Sequence, residues 1–172
     1  MKTNKAVFLD RDGVINHDTG YVHKIKDFKW MPGIKTGLKK LSDKNYKIII
    51  VTNQAGIGRG YFKRKDVIKL HQWFKKECRK NQINIHDIFF CPHHPTHGIG
   101  KLKKKCQCRK PNNLMIRKAV KKWKINKKQS FMIGDKKSDK QCAQKSKIKF
   151  FYKKKINFDT QLKQILKKIN LK

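Results

Sequence analysis

The sequence predicts an α/β domain of Rossmann-like type: a doubly wound, mostly parallel sheet with helices on both faces. Two features carry that expectation. Short apolar runs alternate with longer helix-patterned stretches along all 172 residues, and such alternation implies right-handed βαβ crossovers. The runs are bare Ile, Val and Phe rather than alternating with polar residues, as strands buried on both faces require. A chain of this length forms one domain, here 1–172, and buries roughly 70% of its unfolded surface.

In order, strands are expected at 6–10, 47–52, 87–91, 131–135 and 149–152. Helices are expected at 34–44, 65–80, 113–123, 138–145 and 159–169. The run 27–30 reads as packing, and no stretch is long enough for a large inserted cap domain. From His93 to Lys110 the pattern loses its period, and an irregular connection of that length is usually functional. No repeat or linker divides the chain.

Composition excludes several classes. No apolar stretch approaches the roughly 20 residues of a membrane span, and Met1-Lys2 leads directly into a strand without a signal-peptide pattern, so a soluble cytoplasmic protein, and a monomer, is expected. The net charge of +35 invites a polyanion-binding reading. About 40 of the basic residues are lysine and about six arginine, spread through every segment and accompanied by Ile and Asn, whereas base and phosphate recognition favours the Arg fork. Compositional bias on an ordinary enzyme is the preferred reading, with nucleic-acid binding only non-specific. Three of the five cysteines sit in tight pairings with each other or with His93, which suits a metal in a reducing compartment better than a disulfide framework.

Open α/β sheets bind ligands outside the carboxyl ends of their strands. The first strand runs into Asp10 and Asp12 with Gly13 behind them, the second into Thr52-Asn53, the third into Cys91-Pro92-His93, and the fourth into Gly134-Asp135-Lys136. Phosphoryl removal needs a nucleophile, a proton donor and a cation. Asp10 and Asp12 can divide the first two tasks, while Asp135 arrives from another strand end to hold Mg²⁺ among oxygens. The competing reading of Asp-x-Asp-Gly is a solvated turn or a Ca²⁺-loop fragment, but no EF-hand spacing follows. Cys91-x-His93 with Cys106-x-Cys108 offers three thiolates and an imidazole, a closed set for tetrahedral Zn²⁺ on a loop at about 91–108. Its alternative is buried cysteines beside a surface histidine. His94 and His97 could substitute as ligands but read as exposed loop residues, and Cys78 and Cys142 read as helix packing.

The segments FLDRDGVIN, VTNQAGIGRGYF, CRKP and MIGDKKSD, in that order, resemble the four motifs of the haloacid dehalogenase superfamily of phosphatases over roughly residues 5–150. GYVH at 20–23 and CPHHP with CQCRKP are similar to the heptose 1,7-bisphosphate 7-phosphatases and the related histidinol-phosphate phosphatases. The resemblance implies that Asp10 is the nucleophile and Asp12 the general acid, then base. It implies that Thr52 hydrogen-bonds the phosphoryl group, and that Lys110 with Arg109 neutralises its developing charge. Asp10, Asp12 (through its carbonyl) and Asp135 would ligate Mg²⁺, with Lys136 beside them and Asp139 in support. The same resemblance strengthens a structural zinc on Cys91, His93, Cys106 and Cys108, whose role would be to fix Arg109 and Lys110. Relatives usually carry Pro-Gly where this chain has Asn113-Leu114, which affects a local turn. Val14 replaces a residue that is often Thr.

The expected substrate is a phosphorylated sugar of the heptose pathway. Asp18 and Thr19 supply hydroxyl-recognising groups, Gly20 lets backbone approach the ligand, and Tyr21 can cover a sugar face. Asn53, Gln54 and Ala55 line the second strand end, Lys136 the fourth, and Arg59 can meet a second phosphate. A plain Asx turn is the alternative for 18–21. Histidinol phosphate, a polynucleotide 3′-end and a non-catalytic zinc-knuckle module are the alternative functions, and three acids at strand ends argue against the last.

Overall fold

The computed structural model describes residues 3–170. Five strands, β1 (Ala6–Leu9), β2 (Lys47–Asn53), β3 (Ile85–Cys91), β4 (Phe131–Gly134) and β5 (Lys149–Tyr152), form one sheet in the order β3-β2-β1-β4-β5. Every neighbouring pair is parallel. The helices are α1 (Ile34–Asp43), α2 (Ala55–Gly58), α3 (Arg64–Lys80), α4 (Leu114–Lys122), α5 (Lys137–Lys145) and α6 (Phe158–Asn170). None is long and apolar enough to cross a membrane.

Alternate residues of each strand feed opposite layers, which is why the apolar runs are bare. Val7, Leu9, Ile48, Ile50, Phe131 and Ile133 pack on α1, α3 and α6 through Leu38, Phe74 and Leu162. Ala6, Phe8, Ile49, Val51 and Met132 pack on α4 and α5 through Ile116, Ala119 and Cys142. The run 27–30 joins the first layer, where Phe28 meets Trp73 edge-on and Phe74 at a tilt, and Trp30 stacks on Phe74. Cys78 and Cys142 are buried packing residues.

Strand and helix limits fall within two residues of the sequence expectation. The exception is α2, whose AGIG sequence is too short to show a helical period. Its Gly58 has a packing reason: a Cβ there would lie 2.5 Å from the Pro92 carbonyl oxygen, so only glycine lets the turn approach the 91–108 loop. That loop holds a single 3₁₀ turn, Gly100–Leu102, and an isolated bridge between His94 and Lys103.

Strand order reverses between β1 and β4. Register sets Leu9 beside both Ile50 and Ile133, so β1 and β4 end close to the same level while β2 runs on to Asn53. The residues that follow them share one rim at the switch point, where open α/β sheets bind ligands.

Candidate active site at the strand ends

Asp10 leaves β1 buried, with its amide on Ile133 O. Its Oδ1 accepts from the Arg11 amide at 2.7 Å and faces Lys110 Nζ at 3.0 Å. The same ammonium lies 2.6 Å from Asp139 Oδ1 and donates to Val51 O at 2.9 Å. Burial pushes the Asp10 carboxyl up to about 6, with Lys110 opposing and the charges of Asp139 and Asp12 adding to the rise. For Lys110 burial acts downward, but Asp10 and Asp139 outweigh it and raise its pKa. Asn53 holds this cation in place: its Oδ1 accepts from the Lys110 amide at 3.0 Å and its Nδ2 donates to the Lys110 carbonyl at 3.1 Å. Asn53 lines the cleft, yet its amide serves the Lys110 backbone rather than a ligand.

Asp135, from the end of β4, packs against the turn after β1. A Cβ on Gly13 would sit 2.3 Å from Asp135 Oδ2, and Gly13 has φ +83°, so glycine admits the acid twice over. Oxygens of Asp10, Asp135 and Asp139 lie within 4.8 Å of one another. Asp135 Oδ1 is buried without a hydrogen-bond partner, and burial raises its pKa. Four carboxylates (Asp10, Asp12, Asp135, Asp139) face two buried cations (Arg11, Lys110). The remaining two negative charges and all-oxygen donors fit a hard divalent cation such as Mg²⁺. Asp139, expected only in support, has its carboxylate inside this group. The Asp12 carboxylate lies outside it, in keeping with a role for its carbonyl.

Asp12 is held from three sides. Arg11 donates to both of its oxygens, at 2.9 Å each from Nη2. Asn16 Nδ2 donates to Oδ1 and Gln54 Nε2 to Oδ2, each at 2.9 Å. Gln54 also donates to Thr52 Oγ1 at 3.0 Å, which leaves the Thr52 hydroxyl proton free for the cleft. Gln54, expected on the substrate, is thus 3% exposed and braces two other site residues. Arg11, Asn16 and His71 were not singled out in the sequence. Asn16 closes FLDRDGVIN and had the best chance of being found there.

The cleft above encloses about 370 Å³, walled by Asp10, Asp12, Thr52, Lys110 and the mouth residues. Two roomier grooves lie elsewhere, of about 560 and 1110 Å³, but neither brings two carboxylates together. At the mouth Asp18 Oδ2 is tied to Lys136 Nζ at 3.0 Å, and its Oδ1 takes the Gly20 amide at 3.2 Å. That Asx turn spans one rim of the cleft. Tyr21 is 43% exposed, edge-on to Tyr61 at 4.8 Å, with Arg59 5.9 Å above its ring. Gly20, Ala55, Arg59, Arg109 and Lys136 all line the wall, but Thr19 does not and is exposed. His94 does line it and contacts Arg59 Nη2 at 3.2 Å. The sequence reading of His94 as an exposed loop residue is corrected here: the turn at Gly58 draws it inward.

Cys91, His93, Cys106 and Cys108 converge. Their sulfurs are 3.1 to 3.5 Å apart, and His93 Nδ1 is 3.3 Å from Cys108 Sγ. Tetrahedral Zn–S bonds of about 2.3 Å space sulfurs roughly 3.8 Å apart, so the four donors fit zinc after a slight expansion. His97 is not among them. Arg109 follows the last cysteine and donates to His93 O at 3.2 Å.

Residues 6–163 match the family model described as polynucleotide kinase 3 phosphatase. The chain belongs to that family, among the haloacid dehalogenase-like phosphatases. It is 46% identical over 144 residues to D-glycero-alpha-D-manno-heptose-1,7-bisphosphate 7-phosphatase of Photorhabdus laumondii, covering 84% of this chain and 79% of that protein. It is 42% identical over 146 residues to the beta-heptose enzyme of Haemophilus influenzae, covering 85% and 79%. In fold it is similar to D,D-heptose 1,7-bisphosphate phosphatase from B. bronchiseptica complexed with magnesium and phosphate, with TM-score 0.79, 23% identity, and 95% and 99% of the two chains covered.

Proposed function

We propose that this chain is a Mg²⁺-dependent phosphatase that removes the 7-phosphate of a D-glycero-D-manno-heptose 1,7-bisphosphate, supplying lipopolysaccharide core precursors. The observation that carries the reading is the pair Asp10 and Asp12 on one cleft wall with Lys110 buried against the first of them. Relatives of 42% to 46% identity supply the sugar.

The contacts divide the labour. Oδ1 of Asp10 is already bonded by the Arg11 amide and Lys110, so Oδ2 attacks phosphorus and forms the aspartyl-phosphate. Thr52 donates to a phosphoryl oxygen, and Lys110 offsets negative charge as it develops, a contribution of roughly 3 to 4 kcal/mol for such preorganised groups. Asp12 hands a proton to the departing sugar oxygen and later takes one from the attacking water. Asp10, Asp135 and the Asp12 carbonyl would hold Mg²⁺, which would offset the charge of phosphate and carboxylates together. Zinc on Cys91, His93, Cys106 and Cys108 is architectural, since four protein ligands leave no open position.

At the mouth, Asp18, Gly20 and Tyr21 meet the sugar and Arg59 and Lys136 its distal phosphate, while Arg109 stands with Lys110 at the transferred one. The thiolate ligands also favour a reducing, cytoplasmic setting, and the protein acts there as a monomer. A polynucleotide 3′-phosphatase is the second reading, favoured by the family model's description and the net charge of +35.

The deciding experiment compares kcat/KM for both heptose bisphosphate anomers, histidinol phosphate and a DNA 3′-phosphate. Sites built for several polar groups reject analogues lacking them by about 10⁴, so a heptose bisphosphate should lead by orders of magnitude. Preference for either other ester overturns the substrate and leaves the chemistry.

A further inference from the structure

Arg11 stands between the two site aspartates in sequence, yet its side chain is 1% exposed. It reaches none of the cleft-facing atoms of Asp10. Its guanidinium is divided among four partners. Nε and Nη2 donate to Asp12 at 2.9 to 3.1 Å, and Nη2 donates to the Val22 carbonyl at 2.5 Å. Nη2 also lies 3.4 Å from Gln54 Oε1, and Nη1 lies 3.1 Å from His71 Nε2.

His71 comes from the middle of α3, on the helix face turned to the core, and is itself 6% exposed. Guanidinium has no acceptor atom, so His71 Nε2 accepts and the ring is neutral with its proton on Nδ1. Burial first, and the Arg11 charge second, push the His71 pKa down to about 3, consistent with that tautomer. Phe90 of β3 holds the ring edge-on at 5.6 Å.

A buried arginine is costly unless its charge and donors are met. One carboxylate would meet the charge. The additional contacts to α3 and to the end of the 18–22 loop fix the plane of the guanidinium, and a bidentate guanidinium fixes the plane of the carboxylate it grips.

We propose that Arg11 and His71 are positioning residues, a buried clamp anchored on α3 that sets the Asp12 carboxyl at the angle needed to deliver a proton to the leaving oxygen. The inference rests on the reading of Asp12 as proton donor. Nothing in it requires Arg11 or His71 to touch substrate.

The test uses two leaving groups. A sugar or primary alkyl phosphate departs as a poor alkoxide and depends on the proton, whereas p-nitrophenyl phosphate departs without one. Because kcat/KM covers steps through leaving-group departure, it isolates the proton delivered by Asp12. Arg11→Lys keeps the charge and loses the fork; His71→Leu removes the acceptor; His71→Gln restores an acceptor oxygen. The clamp predicts that Arg11→Lys and His71→Leu lose about 10² in kcat/KM on the alkyl ester, the range of lost general-acid catalysis, and under about threefold on the aryl ester. His71→Gln should recover most of the alkyl loss.

Equal falls on both esters overturn the proposal and make the pair structural only. The aryl ester also serves as the control for misfolding, with thermal melting beside it. Asp12→Asn separates the two layers of the argument. If it shows no alkyl-to-aryl split, the role of Asp12 has failed; if it shows the split and the clamp variants do not, the clamp has failed.

Discussion

Lys110 lies 3.0 Å from Asp10 with the two side chains 1% and 7% exposed, and it bridges onward to Asp139, which is fully buried. One ammonium therefore offsets the charge of two buried carboxylates. Removing it leaves both acids buried without their cation. Lys110→Met is expected to destabilise the fold by about 3 kcal/mol, the lower range for breaking a buried pair. At this chain length that corresponds to a melting temperature lowered by roughly 10 °C. Phosphate release should fall with it, and a melt within 2 °C or so of the parent would show that the pair carries little.

Asp10→Asn should behave in the opposite way. The amide keeps the shape, removes the nucleophile, and relieves the burial cost that lifts the Asp10 carboxyl to about 6. Without divalent ions the variant should melt no lower than the parent at pH 7. Phosphate release should be lost. Activity within about tenfold of the parent, a barrier change of only 1.4 kcal/mol, would rule out the aspartyl-phosphate.

The strands and most helices were legible because doubly buried strands leave bare apolar runs and the helices carry a clear period. Strand-end logic likewise pointed to Asp10, Asp12, Thr52 and Asp135, whereas Lys110 follows an irregular loop and only the resemblance of CRKP to a phosphatase motif pointed to it. What stayed hidden depends on tertiary approach. His71 lies 60 positions from Arg11, and in a lysine-rich helix a single histidine carries no signal that it faces a guanidinium. Asn53 and Gln54, expected on the substrate, line the cleft with their amides bonded to Lys110, Asp12 and Thr52, a pairing that depends on tertiary approach. Exposure of His94 in an irregular loop cannot be read from pattern, and the hydroxyl that makes Thr19 a candidate in the sequence does not reach the wall its neighbours line.

The charge makes its own prediction. Six arginines among 46 basic residues leave a diffuse lysine surface, so duplex DNA should bind weakly, without sequence preference, and release well before about 200 mM salt. Fluorescence anisotropy across a salt series checks this. Tight saturable binding at that ionic strength would favour the 3′-end reading.

Zinc should co-purify at close to one equivalent, while turnover still needs added Mg²⁺. Cys106→Ser removes one of four donors whose neighbours approach within 3.5 Å. Metal binding and local folding are coupled, so melting temperature and apparent substrate affinity should fall together, because Arg109 is anchored on His93 O. Elemental analysis without zinc, or an unaltered Cys106→Ser enzyme, would remove the architectural role.

His71 gives a prediction for stability against pH. Its folded pKa is pushed from 6.5 to about 3, so the unfolded chain takes up a proton below 6.5 while the folded chain does not. Stability from this residue is therefore complete above 6.5 and is lost as pH falls toward about 3. At pH 5 the loss amounts to about 2 kcal/mol relative to neutral pH. His86, lowered to about 4 chiefly by burial, is half-exposed and solvent-screened, so it adds a smaller background that substitution at position 71 leaves in place. Denaturant titrations at pH 7.5 and 5.0 should thus show the parent losing about 2 kcal/mol more than His71→Gln. Equal losses in the two proteins would mean that His71 takes its proton inside the fold, and the neutral acceptor facing Arg11 would have to be abandoned.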